Sequence, residues 1–314
     1  MKPEIVVMRR LAPETTMQRL ADGYMLHSFW EADDIPAFLE RARGARGLVT
    51  TGSIGADAAL IEGLPNLEVI ANFGVGVDKV DFDAVNRRGI VVTVTAGVLT
   101  DAVADLALAL WLAVLRRVPE ADRFVRSGRW PDSALGSGRG ARGRTAGIVG
   151  LGQIGRAVAE RLTGFGVEIA YSDLAAVPDL PYRFVADPVQ LAAESDFLIV
   201  CAAGGPGTAG LVNEEVLTAL GPDGILVNVA RGSIIDESAL IAALEAGSIS
   251  GAGLDVFAAE PNVPPELMAM DNVVLMPHQA SNTLETRIAM GENVLDNLAA
   301  HFAGEPVPTP YRQT

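Results

Sequence analysis

The sequence predicts an α/β protein with two parallel β-sheets, each covered by helices on both faces. Short β-branched apolar runs alternate with helical patterns along nearly all of the 314 residues, as expected for parallel strands joined by crossover helices. A chain of this length is too long for one typical core. A glycine-rich turn at residues 150–155 opens a second strand and helix series halfway along. We therefore expect two domains, residues 1–99 with 284–314 and residues 100–283.

The first domain is predicted to contain five strands, with a helical segment after each of the first four. The strands are predicted over residues 4–8, 25–29, 47–51, 67–72 and 90–94. A long helix is predicted from about Thr100 to Arg117. The last predicted helix, residues 283–302, should return to the first domain, because the proline-rich segment 304–310 after it is typical of a tail along a surface.

The second domain begins with the strand before the glycine-rich turn. Its later strands are predicted over residues 168–172, 184–186, 197–201, 224–229, 251–256 and 273–276. The stretch 123–144, with six arginines and five glycines, is predicted to be a loop. Such a loop either attracts phosphate or, as we expect in so acidic a chain, lies in solvent or contacts another subunit.

Composition limits the classes of partner. With 24 basic and 39 acidic side chains the net charge is −15, which disfavours binding to nucleic acid or to an anionic membrane. The apolar stretch 102–115 is interrupted by Asp105 and is too short to cross a bilayer. A single cysteine, Cys201, cannot form an internal disulfide, and the charged N-terminus does not resemble an export signal. We therefore expect a cytoplasmic protein whose small anionic substrate is held by local positive groups.

The glycine-rich turn predicts a dinucleotide site. Gly150 permits a tight turn, Gly152 lets the backbone approach a pyrophosphate, and Gly155 lets helix and strand pack closely. Asp173 follows the next apolar run, where a carboxylate accepts hydrogen bonds from a ribose diol. The alternative is a structural turn with a surface aspartate. The carboxylate repels a 2′-phosphate, so we expect NAD(H) to be preferred over NADP(H).

Three polar residues follow apolar strands of the second domain and are candidates for catalysis. Arg231 can bind a carboxylate and polarise a neighbouring keto oxygen. His278 can exchange a proton with the resulting alkoxide, and Glu260 can orient the histidine ring. Side chains at the carboxyl ends of parallel strands face the ligand crevice, so the three should converge. The alternatives are a surface ion pair for Arg231, a surface or core histidine and a simple turn at Glu260.

A second glycine-rich loop, residues 72–78, lies in the first domain. Backbone N–H groups of such a loop can hold a carboxylate, and a plain tight turn is the alternative. No Lys-Ser/Thr follows, so a phosphate loop is not indicated.

These motifs resemble the D-isomer-specific 2-hydroxyacid dehydrogenase family over nearly the whole chain. The motifs that carry the resemblance are residues 72–78, 150–155, 228–232, 253–257, 260–261 and 277–281. The resemblance implies a flavodoxin-like substrate domain, a Rossmann cofactor domain and a cleft between them. It also implies that Arg231 binds substrate, that His278 is the proton donor paired with Glu260, and that Val75 and Gly76 bind the substrate carboxylate.

The resemblance extends to the cofactor and to the partner subunit. It implies that Asp255 contacts the nicotinamide carboxamide and that subunits pair through their cofactor domains as a homodimer. Further cofactor contacts are expected at Thr100, Gln153, Ile154, Ala202, Val229 and Ala230. No metal is expected.

Within the family the chain is most similar to the glyoxylate/hydroxypyruvate reductase branch, which implies reduction of small 2-keto acids to D-2-hydroxy acids. NADPH-dependent members of that branch carry an arginine just after the second cofactor strand, where this chain has Ser172, Asp173 and Leu174. A cofactor-sensing corepressor on the same fold is the alternative function. A formate-type dehydrogenase is disfavoured, since those enzymes carry glutamine at the position of Glu260.

Overall fold

A computed structural model describes residues 2–312 of the chain. The described residues divide into two compact units. Unit 1 comprises those of Met1–Leu99 and Ser281–Thr314, and unit 2 comprises Thr100–Ala280.

The strands and helices are numbered in chain order. The strands are β1 (Glu4–Val7), β2 (Met25–Ser28), β3 (Gly47–Thr51), β4 (Val69–Phe73), β5 (Val91–Val94), β6 (Thr145–Val149), β7 (Glu168–Ser172), β8 (Arg183–Phe184), β9 (Phe197–Val200), β10 (Ile225–Asn228), β11 (Gly251–Leu254) and β12 (Val273–Leu275). The helices are α1 (Glu14–Gly23), α2 (Ile35–Arg41), α3 (Ala58–Gly63), α4 (Phe82–Arg88), α5 (Thr100–Leu115), α6 (Val118–Arg126), α7 (Gln153–Thr163), α8 (Pro188–Ala193), α9 (Glu214–Leu220), α10 (Glu237–Glu245), α11 (Pro265–Ala269) and α12 (Leu284–Ala303).

Unit 1 is a five-stranded parallel sheet in the order β2-β1-β3-β4-β5. Val6, Leu48 and Ile70 lie in neighbouring strands and are fully buried. The strand order reverses between β1 and β3, which is the doubly wound arrangement that places ligands beyond the carboxyl ends of the strands. The loop after β4 therefore lies at the edge where a ligand is expected.

Aspartates begin three helices of unit 1 and set where they start. Asp34, Asp57 and Asp81 each accept a hydrogen bond from a backbone N–H in the first turn of α2, α3 and α4. Such caps satisfy donors that have no partner within the helix. Each of the three helices thus begins at the residue directly after its aspartate.

Unit 2 is a seven-stranded parallel sheet in the order β12-β11-β10-β9-β6-β7-β8. Its order reverses between β6 and β9, which pair from Ala146↔Phe197 to Val149↔Val200. Trp111 of α5 is fully buried, with its ring 5.3 Å from those of Phe165 and Phe197 in edge-on contacts. Both sheets confirm the predicted fold class.

The structure differs from the sequence prediction in the arginine-rich stretch. A separate helix, α6, extends to Arg126, so the loop begins after it. Arg117 adopts a left-handed conformation at φ 55°, which ends α5, and Pro119 favours a new first turn. Phe124 then buries its ring. The many arginines of this stretch indicate a loop when the sequence is considered alone. In the structure Arg126 instead forms an ion pair with Asp122 one turn earlier, which supports the helix.

Candidate active site

The turn between β6 and α7 has the shape of a phosphate-binding loop. Gly150 has φ 90°, and a Cβ there would lie 2.5 Å from the Cα of Ala202. A Cβ on Gly155 would lie 2.1 Å from the carbonyl oxygen of Gly150. Neither position can carry a side chain without moving the backbone. Ala202, two residues after the end of β9, thereby closes on the loop at the point where the strand order reverses.

A Cβ on Gly152 would instead meet no atom within 4 Å. Gly152 is the N-cap of α7, whose first residues are Gln153 and Ile154. The first N–H groups of a helix have no intrahelical acceptor and favour an anion. Open space in front of Gly152 therefore fits a pyrophosphate held by this helix terminus.

Asp173 lies directly after β7 and is fixed by the glycine loop itself. Its Oδ2 accepts a hydrogen bond from Leu151 N at 2.7 Å, and its Oδ1 accepts one from Leu174 N at 2.7 Å. The Leu174 side chain is 99% exposed. A carboxylate is thus held beside the loop at the position where a dinucleotide places its adenosine ribose, with a fully exposed apolar neighbour.

Arg231 is positioned by a buried amide at the end of β10. Asn228 is fully buried, donates from Nδ2 to Arg231 O at 2.9 Å and accepts at Oδ1 from Ala230 N at 3.0 Å. A Cβ on Gly232 would lie 2.0 Å from the carbonyl carbon of Phe257, so glycine is required after Arg231. Both sides of the loop are therefore fixed, and the guanidinium extends from a rigid base.

His278 and Glu260 form a pair. His278 Nδ1 lies 2.7 Å from Glu260 Oε2, and Phe257 N donates to Glu260 Oε1 at 3.1 Å. Burial opposes ionisation of Glu260, but the hydrogen bond and charge of His278, the Phe257 N–H and the charge of Arg231 together lower its pKa. Glu260 is thus an ionised carboxylate on Nδ1, which leaves Nε2 of the ring to exchange a proton.

The turn that carries His278 is held by Asp255, directly after β11. Asp255 O accepts from His278 N at 2.8 Å, and its two carboxylate oxygens accept from Gln279 N at 2.7 Å and Ala280 N at 2.9 Å. Burial raises the pKa of Asp255, while the two backbone hydrogen bonds and the charge of His278 act against that rise. These bonds hold His278 at φ 54°, a conformation that is unfavourable for a side chain with a Cβ.

In unit 1, the loop after β4 is also held by a buried amide. Asn72 is 1% exposed and donates from Nδ2 to the carbonyl oxygens of Gly74 at 3.1 Å and Gly76 at 2.9 Å. Gly74 has φ 155°, in the region that favours glycine. The predicted carboxylate-binding residues Val75 and Gly76 lie between these two anchored carbonyls.

The remaining predicted cofactor residues lie at the start of α5 and in the loop after β10. Thr100 is the first residue of α5, and Val229 and Ala230 lie between β10 and Arg231.

The side-chain amides of Asn72 and Asn228, which hold the two loops, were not predicted from the sequence. An asparagine at the end of a buried strand and before a glycine or arginine turn is the signal that could have revealed them, because its side chain readily bonds to nearby backbone.

Two kinds of feature, a metal-ligand cluster and a membrane-spanning helix, are absent from the described residues. Within residues 2–312, no group of three or more histidine, cysteine, aspartate or glutamate side chains is arranged to hold a metal ion. Nor does the part of the chain that the structure describes include a helix long and apolar enough to span a membrane.

The fold and these residues define the class of protein. A seven-stranded parallel sheet carries a glycine loop with a carboxylate bonded to it, and the same edge presents a guanidinium and a histidine–glutamate pair. This combination of fold and side chains is typical of a nicotinamide-dependent dehydrogenase of α/β type.

Comparison with known proteins identifies the family. The NAD-binding domain of the D-isomer-specific 2-hydroxyacid dehydrogenases matches residues 108–280, which lie within unit 2. The chain is 42% identical over 309 residues to a 2-ketogluconate reductase of Gluconobacter oxydans, covering 98% of both chains. It is 45% identical over 292 residues to a glyoxylate/hydroxypyruvate reductase A of Arabidopsis thaliana, covering 93% of both.

A solved structure agrees over the full length. The NADPH-dependent glyoxylate/hydroxypyruvate reductase of Sinorhizobium meliloti, in complex with NADP and malonate, superimposes with a TM-score of 0.93 at 42% identity and covers 100% of both chains. The chain belongs to the D-isomer-specific 2-hydroxyacid dehydrogenase family, in its glyoxylate/hydroxypyruvate reductase branch. The corepressor alternative is not favoured, because these relatives are reductases.

Proposed function

We propose that this protein reduces small 2-keto acids, such as glyoxylate or hydroxypyruvate, to D-2-hydroxy acids with a nicotinamide cofactor. The observation that carries the proposal is the 2.7 Å contact between His278 Nδ1 and Glu260 Oε2, in the same unit as the braced Arg231 loop. Relatives with high coverage are named as reductases of 2-ketogluconate, glyoxylate and hydroxypyruvate.

The roles follow from the chemistry of the side chains. Arg231 binds the substrate carboxylate and draws electron density toward the keto oxygen. A bound reduced nicotinamide supplies the hydride that the keto carbon gains. His278 gives a proton from Nε2 to the keto oxygen, because its Nδ1 is engaged with Glu260. Glu260, hydrogen-bonded to Nδ1, keeps the ring oriented for that transfer. Val75 and Gly76 of unit 1 supply N–H groups to the carboxylate.

The test of this function is a set of initial rates. Glyoxylate, hydroxypyruvate, pyruvate and phenylpyruvate are offered with NADH and with NADPH, and the product is resolved on a chiral column. We expect turnover of the smaller keto acids and a D-2-hydroxy product. No turnover of any of the four, with tight cofactor binding retained, would instead indicate a binding protein.

The cofactor proposed is NAD(H) rather than NADP(H). Asp173 is anchored by Leu151 N, and the carboxylate repels a 2′-phosphate. Leu174 provides no cation to offset that repulsion. We expect kcat/KM with NADH to exceed that with NADPH by at least about tenfold, equivalent to ~1.4 kcal/mol. Asp173→Ala should reduce this preference. A wild-type preference for NADPH, as in the Sinorhizobium meliloti relative, would refute it.

The cofactor residues of this proposal act at two ends of the nucleotide. Gly150, Gly152, Gly155, Gln153 and Ile154 would hold the pyrophosphate, while Thr100, Ala202, Val229, Ala230 and Asp255 would surround the nicotinamide end. Asp255 is fully buried, and both of its carboxylate oxygens accept backbone hydrogen bonds, so its side chain supports this end of the site by holding the turn of His278.

A homodimer in the cytoplasm completes the proposal. Apolar side chains on α6 and the loop after it are exposed, Val118 and Val125 at 52% and Trp130 at 69%. Exposed aromatic and aliphatic residues of this kind mark protein interfaces, and they lie in unit 2, through which pairing is proposed. Burial raises the pKa of the single thiol, Cys201, to about 12, which keeps it protonated at neutral pH. Light scattering of the purified protein tests the dimer.

A further inference from the structure

The carbonyl groups of the loop after β4 are turned inward. Asn72 Nδ2 binds the oxygens of Gly74 and Gly76, and the backbone N–H of Thr95 also binds Gly74 O at 3.0 Å. Asn72 and Thr95 are 1% and 0% exposed, so both carbonyls are held against the interior of unit 1.

Because the peptide group is planar, the inward carbonyls also determine where the neighbouring N–H groups point. In a trans peptide the C=O of one residue and the N–H of the next point in opposite directions. With Gly74 O and Gly76 O directed inward, the N–H groups of Val75 and Val77 are directed outward. No residue among 2–312 accepts a hydrogen bond from the N–H of Val75, Gly76 or Val77.

Unsatisfied donors of this kind indicate a ligand. Val77 as a residue is only 8% exposed, and the backbone N–H groups of buried residues usually have an acceptor. Successive N–H groups that converge on one side form an anion-binding concavity. The loop is therefore a preformed site for a carboxylate, wider than the two residues predicted from the sequence.

Asn72 holds the two carbonyl groups through its N–H donors and not through its oxygen. Both N–H bonds of its Nδ2 are used, whereas its buried Oδ1 has no partner among the described residues. An aspartate has the same shape but would place an oxygen against two carbonyl oxygens.

We propose that Asn72 is a positioning residue for the substrate, which aims the N–H groups of Val75 and Val77 at the substrate carboxylate and so adds Val77 to the carboxylate site. This inference rests on the proposed function, because it assigns the anion of that loop to the keto acid.

The test compares Asn72→Asp with wild type under saturating NADH. We expect KM to rise at least about tenfold for glyoxylate and for pyruvate alike, since both carry the carboxylate, with kcat changed less than about threefold. The Kd for NADH, measured by fluorescence, should not change. Asn66→Asp is the matched control, because Asn66 Nδ2 also donates to a carbonyl, Arg43 O at 2.9 Å, at an exposed site of unit 1. It should leave both constants unchanged.

A second measurement does not depend on the folding of the variant. In the NAD⁺-bound wild type labelled with ¹⁵N-valine, addition of oxalate should shift the amide resonances of Val75 and Val77 more than those of the other valines. The proposal is overturned if folded Asn72→Asp keeps the wild-type KM, if it loses kcat without a change in KM, or if oxalate leaves the Val77 resonance in place. A wild type that reduces no keto acid would overturn the proposed function instead, while the oxalate shifts would still report the site.

Discussion

Asn72 and Asn228 perform related tasks in the two units, but with different completeness. Each lies at the carboxyl end of a central strand, is at most 1% exposed and donates from Nδ2 to the backbone of the loop that follows. Asn228 also accepts a hydrogen bond at Oδ1, whereas the Oδ1 of Asn72 has no partner among the described residues. Asn228 thus uses both its donor and its acceptor, whereas Asn72 uses its two donors alone.

This difference between the two asparagines agrees with the proposed roles of the two loops. Binding a carboxylate requires only that N–H groups point in the right direction. Polarising a keto oxygen and transferring a proton require the reacting groups to stay within a few tenths of an ångström. The loops at Arg231 and His278 lie in the unit that matches the NAD-binding domain.

The largest expected effect tests whether unit 2 alone supplies the proton donor. His278→Ala should lower kcat by about 100-fold or more, as expected for a positioned general acid, and leave the Kd for NADH nearly unchanged. His27 of unit 1 is the control, since its Nε2 lies 2.9 Å from Glu4 Oε2 in a similar pair. His27→Ala should keep the wild-type kcat. Retention of more than a tenth of kcat by His278→Ala, with chemistry limiting, would remove its assigned role.

A smaller effect is expected when the fully used amide is changed. Asn228→Asp removes the donor to Arg231 O, and we expect kcat/KM to fall by about tenfold or more through both kcat and KM, because Arg231 acts in binding and in polarisation. Asn72→Asp should change KM alone. Asn213→Asp is the control in unit 2, because its Oδ1 accepts from Val216 N at a helix start, where aspartate serves equally. Identical kinetic patterns for Asn228→Asp and Asn72→Asp would remove the contrast between the units.

The smallest expected effect is a shift in pH dependence. Glu260→Gln removes the charge that favours imidazolium, so the basic limb of the reduction profile should move to lower pH by about one unit. In wild type the lowered pKa of Glu260 keeps this carboxylate ionised under mild acid, and its contribution to stability is lost only as the pH falls through that lowered value. Profiles of kcat/KM for wild type, Glu260→Gln and the surface control Glu266→Gln measure this. A basic limb that does not move would make Glu260 a turn residue only.

The sequence was sufficient for the parts of the molecule with strong local signals. The strand at Glu168–Ser172 and the turn from Gly150 to Gly155 were predicted at their observed positions, since periodicity and glycine spacing are local. The helix α6 was missed because arginine and aspartate on one face make an amphipathic helix resemble a charged loop.

The supporting groups of the site could not be predicted, because they depend on register between distant strands. Asp255 follows β11 and holds a turn 23 to 25 residues later in the chain, through bonds that exist only once β10, β11 and β12 pair. Asn228 and Asn72 act locally, but their burial, which makes the hydrogen bonds decisive, is set by the whole sheet.

The tail after α12 has a consequence for handling the protein. Thr309 O accepts from Val94 N at 3.1 Å and Tyr311 N donates to Val92 O at 2.8 Å, so the tail pairs antiparallel with β5. The Tyr311 ring lies 5.1 Å from that of Phe82. Without these residues β5 would present a bare row of backbone donors and acceptors, the kind of edge through which sheets from separate molecules join. A chain cut after Glu305 should therefore aggregate more readily on storage than the full chain, and a purification tag is better placed at the other terminus.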